Sequence, residues 1–136
     1  MKRTKVNPTD WADAILDQGQ IIEGATRLLT LSGQVSVTPD ADAPLGVRAL
    51  HPNDIRGQML EALTQIDAVL DVAGMTRENL VHLRFFVTDM QAGLANFDVF
   101  LDWIADVGHR PPQSFIGISE LFLPELMIEI EATAAS

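Results

Sequence analysis

The sequence predicts an α+β fold, one mixed β-sheet with two helices packed on one of its faces. Three observations carry that prediction. Ile55, Met59, Leu63, Ile66 and Leu70 recur at steps of three or four, the apolar stripe of an amphipathic helix. Residues 79–89 alternate strictly, Val81, Leu83, Phe85 and Val87 on one side against His82, Arg84, Phe86 and Thr88 on the other. The alternation returns near the C-terminus, where Ile128, Ile130 and Ala132 oppose Glu129, Glu131 and Thr133. A chain of 136 residues is one domain, 1–136, long enough to bury about two-thirds of its unfolded surface.

Taken in order, residues 1–19 show no clear period; Trp11, Ile15 and Leu16 suit a short helix or an edge strand. Residues 20–37 hold two short β-branched and aliphatic runs around Glu23-Gly24, a hairpin signal. Leu29, Leu31 and Gly33 share one face there, and Ser32-Gly33 ends the strand where the backbone can be closely approached. Residues 38–51, rich in Pro, Asp and Gly, read as a surface loop. Pro52 then opens the first helix, with Asn53 and Asp54 at its positive end and Gly74 as its C-cap. A second helix is predicted over 93–107, its buried stripe formed by Phe97, Phe100, Leu101 and Ile104. Pro111-Pro112 forces an extended chain into a strand over 113–121, which forms a hairpin with the strand at Ile128. The sheet face away from the helices is expected to carry Phe86 and Phe115, an apolar patch that argues for identical subunits as partners.

Composition narrows the function classes. Nineteen acids against nine Lys and Arg give a charge of -10, which repels phosphate backbones and argues against a nucleic-acid partner. No window holds the ~18 apolar residues of a membrane span, and the start lacks the apolar core of a secretory signal, so a cytoplasmic location is expected. The absence of cysteine removes thiolate metal sites and cysteine nucleophiles. His51, His82 and His109 stand at no metal-binding spacing, and no phosphate-binding or dinucleotide-binding glycine motif occurs, so neither metal nor cofactor is expected.

What remains is a set of polar residues whose order and spacing match a known pattern. LSGQV at 31–35, DAVLDVAGMTRENLV, HLRFFVTDM, Asn96, and PPQS followed by IEIEATA together resemble the Rid family, also called YjgF or RutC-like and often labelled endoribonuclease L-PSP. The resemblance implies a chorismate-mutase-like α+β fold and a homotrimer with small-molecule clefts between subunits. It also implies hydrolysis of reactive 2-imino and 2-enamino acids to 2-keto acids and ammonia. Matching by motif puts Glu129 at the catalytic, water-handling position. Gly33, Asn96, Gln113, Ser114 and Phe115 then fall at substrate-binding positions.

Two positions depart from the pattern. Gln113 stands where the family's arginine clamps the substrate carboxylate, and there is no tyrosine to close over the pocket, Gly19 falling near its place. Replacing a charge-assisted fork by a neutral amide weakens carboxylate binding by roughly 1 to 2 kcal/mol. Arg110 starts roughly 10 Å upstream along an extended chain. Two readings follow: an imine or enamine deaminase with an altered substrate, or a non-catalytic trimeric binder or sensor using the same cleft.

Overall fold

The computed structural model describes all of residues 1–136. Strand β1 (Lys2–Val6) pairs antiparallel with β2 (Gly19–Glu23) as a separate ribbon, and Trp11 and Ile15 lie in a turn over 11–15 with Leu16 just after it, so the three residues sit on neither the helix nor the edge strand expected for them. Gly24, with φ +71°, turns the chain into β3 (Leu28–Thr30), yet β2 and β3 do not pair. The hairpin expected around Glu23-Gly24 is therefore a corner between two sheets, because β2 takes β1 as its partner and β3 takes the C-terminal strand. The expected loop over 38–51 contains a further ribbon, β4 (Val37–Pro39) with β5 (Val47–Ala49).

Helix α1 (Ile55–Val72) starts three residues later than Pro52 suggested, because the Asp54 carboxylate accepts from the Gly57 N–H and caps it. His51 and Asn53 take positive φ in the turn before it. Its predicted stripe is buried, from Ile55 to Leu70. Strand β6 (Leu80–Val87) follows a short 3₁₀ turn, and a bulge between Leu80 and His82 shifts the alternation there. Leu80 thus occupies the core place that simple alternation assigns to Val81.

The second helix is split. Asp89 caps α2 (Met90–Ala95), where the Asn96 side chain bonds back to the Ala92 carbonyl, and α3 (Asp98–Ile104) resumes beyond Phe97. Gly93 sits against Phe115, where a Cβ would come within 2.9 Å of the ring, so α2 lies close on the sheet. Strands β7 (Gln113–Gly117) and β8 (Ile128–Ala135) complete the order β3-β8-β6-β7. β7 is parallel to β6, whereas β8 is antiparallel to both β6 and β3, which makes the sheet mixed. The hairpin expected between the last two strands is therefore absent: β6 lies between them, and the β6–β7 connection is a helical crossover of the kind parallel pairing requires. The 113–121 strand is also shorter than expected, ending at Gly117.

The core lies between this sheet and the helices, and its centre is aromatic. Phe85 meets the rings of Phe100, Phe115 and Phe97 at 4.9, 5.4 and 5.9 Å. Phe115, partly buried, thus packs against the core on the helix side, not on the open sheet face as its sequence context suggested. The face away from the helices is left uncovered within one chain.

Candidate functional site

Register fixes what stands on the uncovered face. Glu129 lies beside Phe86, and Phe86 beside Ile116; one pleat along, Glu131 lies beside Arg84, and Arg84 beside Ser114. Thr133 and His82 follow. Alternation puts all of these opposite Leu83, Phe85, Val87, Ile128 and Ile130, which point at the helices.

Gly33 and Glu129 are brought together. Past β3 the chain keeps to β8 through two backbone bonds, Gln34 N–H to the Ile130 carbonyl and Ile130 N–H to the Gln34 carbonyl, at 2.8 and 3.0 Å. Ser32 and Gln34 close the turn, the Gln34 amide donating to the Ser32 carbonyl at 2.9 Å. This leaves the α-carbon of Gly33 facing the Glu129 side chain, and a Cβ at Gly33 would overlap the carboxylate. Only glycine leaves that carboxylate its seat.

Glu129 stands electrostatically alone. Its pKa is raised, first by burial and then by the charge of Glu131, with no cation or hydrogen-bond donor of the chain offsetting either. Glu131 itself pairs with Arg84 at 3.3 Å, both partly exposed. His82 is held below its usual pKa, first by burial and then by Arg84. Beside this pair lies a shallow cavity of about 250 Å³ lined by Thr30, Leu31, His82, Arg84, Glu131 and Thr133.

The other sequence-predicted positions scatter. Ser114 shares the open face but stands two strands away, level with Glu131, which puts it about 12 Å from Glu129. Gln113 pairs with Leu83 and so belongs, like Phe115, to the helix side; its Nε2 donates to the Ile15 carbonyl at 3.1 Å, while its Oε1 is buried without a partner. Asn96 lies in the helix layer, bonded to Ala92 and reached by Arg56, which forks onto Asp98 at 3.0 and 2.9 Å. Within one chain, then, only Gly33 joins Glu129. Arg110 donates to the carbonyls of Ile104, Val107 and His109 at the end of α3, which ties it down far from any sheet-face role.

Arg84 and Glu131 are the site residues that the sequence motifs did not single out. The signal was present in the alternation of residues 79–89, but matching it to the Glu129 face required the β6–β8 register. A larger concavity, about 430 Å³, lies between α1 and α3, but the Asp67–Arg77 pair, with Trp103 4.4 Å from the guanidinium, already fills its polar side. No three His, Asp or Glu side chains converge at metal-binding spacing, and no helix is long and apolar enough to cross a membrane.

The family model described as Endoribonuclease L-PSP matches residues 13–136. The chain belongs to the Rid family. The Rid protein YyfB from Yersinia pestis, a protein of unknown function, is 30% identical, covers both chains completely and has a TM-score of 0.82. A member of the YjgF/YER057c/UK114 family from Mycobacterium tuberculosis has a TM-score of 0.64 at 26% identity, over 99% of this chain and all of its own. A RutC family protein from Aquifex aeolicus is 29% identical over 105 residues, 76% of this chain and 78% of that protein. The mixed sheet with helices packed on one face, expected from the sequence, is thus the fold of a Rid protein.

Proposed function

We propose that this Rid chain hydrolyses a reactive imine or enamine to a carbonyl product and ammonia, with Glu129 as its general acid and base. One observation carries the reading: a partly buried carboxylate, unpaired within the chain, is seated on the backbone of Gly33. A carboxylate whose pKa is raised toward the working range takes a proton from water and returns it more readily than a solvated one. Glu129 removes a proton from the water that attacks the imine carbon, then delivers it to the nitrogen of the resulting carbinolamine. The C–N bond breaks, the hydroxyl proton passes to the leaving nitrogen, and the protonated imine and water become a carbonyl and ammonium.

The chain acts as a homotrimer in this reading, with the clefts at subunit boundaries. Both end strands of the sheet, β3 and β7, have an unpaired edge, and the open face exposes part of Phe86 and Ile116. Two different free edges suit a head-to-tail contact, which closes as a ring. Light scattering should give three times the chain mass; a monomer would remove the intersubunit cleft from the proposal.

The chemistry is tested with freshly generated imines, following ammonia and carbonyl formation by the native protein and by Glu129→Gln. A loss of about a hundredfold is expected, and undiminished turnover removes Glu129 from the mechanism. A second reading, a trimeric binder or sensor without catalysis, draws on Gln113, which is neutral and tied to the Ile15 carbonyl. Ligand-dependent thermal shifts across keto acids and amides, with no turnover of any imine, would favour it.

A further inference from the structure

Charge on the open face says what kind of imine the site accepts. Of the nine Lys and Arg, Arg84 alone lies on the four-stranded sheet. Its partner is Glu131, one pleat from Glu129 on the same strand. The place where the family resemblance calls for a guanidinium holds Gln113, which lies on the helix side, and Arg110 is committed to helix carbonyls. With Arg84 answering Glu131, the ionised Glu129 leaves one negative charge in excess among the residues that each chain brings to the face.

Resting on the deaminase reading of Glu129, we infer that the substrate is a carboxylate-free iminium cation, the protonated imine of a small ketone or aldehyde, rather than a 2-imino acid. An unpaired carboxylate attracts the iminium nitrogen and repels a substrate carboxylate brought to the same place. At about 8 Å and an effective dielectric of about 20, one such charge alters affinity about thirtyfold. The reaction balances without any other reagent. Water adds its oxygen to the iminium carbon as Glu129 takes one of its protons, giving a neutral carbinolamine. Glu129 returns that proton to nitrogen, the C–N bond breaks, and the hydroxyl proton passes to the leaving ammonia. One iminium and one water become one carbonyl and one ammonium.

Propan-2-imine and 2-iminopropionate are nearly isosteric and differ in charge, so they form the test pair. They are generated in situ by an amine oxidase from isopropylamine and by an amino-acid oxidase from alanine. Rates above spontaneous hydrolysis are compared for the full chain, for Glu131→Gln and for Glu129→Gln. The native protein should favour propan-2-imine by at least about thirtyfold in kcat/KM. Glu131→Gln, which frees Arg84, should raise 2-iminopropionate turnover about tenfold. Equal or reversed preference in the native protein, or no gain in Glu131→Gln, overturns the charge argument and leaves the deaminase reading standing. Acceleration of neither imine, or full activity in Glu129→Gln, instead removes the deaminase reading and this inference with it. Binding of acetamidinium, a stable planar cation, but not acetate by titration calorimetry supports the selectivity independently of turnover; the opposite preference overturns it.

Discussion

On one side of the four-stranded sheet Leu83, Phe85, Val87, Ile128 and Ile130 are fully buried under the helices; on the other, the residues between them are Arg84, Phe86 and Glu129. The same strands therefore hold two kinds of position one residue apart. The inner set is apolar, closely packed and irreplaceable in shape. The outer set carries unpaired or weakly paired charge that contributes little to stability and is available for chemistry. If that division is right, substitutions on neighbouring residues should fail in different assays.

The largest contrast is Phe85→Ala against Glu129→Gln. Phe85 sits among three other phenylalanines, and its loss should cost about 3 to 5 kcal/mol in urea unfolding. Glu129→Gln should unfold at the same or a slightly higher urea midpoint, since it removes a partly buried, unanswered charge, while imine turnover falls about a hundredfold. A Glu129→Gln protein as unstable as Phe85→Ala would show that the outer face is structural.

A smaller effect is expected from Gly33→Ala. The obstacle to a Cβ is the end of a flexible side chain, so the fold should survive within about 1 kcal/mol. The Glu129 carboxylate must move, however, and a displaced base should lower kcat about tenfold with KM nearly unchanged. Unaltered kcat would mean that the Gly33 seat does not position Glu129.

The division between faces was partly legible in the sequence. Period alone gave α1 and the alternation of β8, because both elements obey one rule from end to end. It misplaced Val81, because a bulge adds one residue and flips the parity. Phe115 is misplaced for a related reason: QSFIGIS does not alternate, and only pairing with Phe85 sets its register. The helix break at Asn96 depends on a side chain folding back onto the Ala92 carbonyl, a local competition that apolar spacing does not register. The two hairpins that chain order suggests are absent for one cause, since β3 and β6 both pair with the distant C-terminal strand rather than with their neighbours in sequence. Glu129 was legible as outward-facing; its contact with Gly33 was reachable only through the family motif.

The subtlest difference between the faces lies in pH dependence. Glu129 has a folded pKa above its unfolded value, about 4.5, because burial and Glu131 disfavour its charge. The folded state thus binds that proton more tightly, so the stability it contributes is full below about pH 4.5 and is lost as pH rises through the folded value. His82 on the same face, and the buried His109 near the N-terminal ribbon, shift downward from about 6.5, both chiefly through burial. Their contributions have the opposite sign, present above about pH 6.5 and lost as pH falls through their folded values. Subtracting the urea-unfolding profile of native protein from that of Glu129→Gln cancels the histidines and isolates the carboxylate. The difference should favour the variant progressively as pH rises from about 4.5 and then level off. The acid limb of imine turnover should track the same folded pKa, because the ionised form is the base. Parallel stability profiles would place Glu129 in ordinary solvent and erase the electrostatic distinction between the faces.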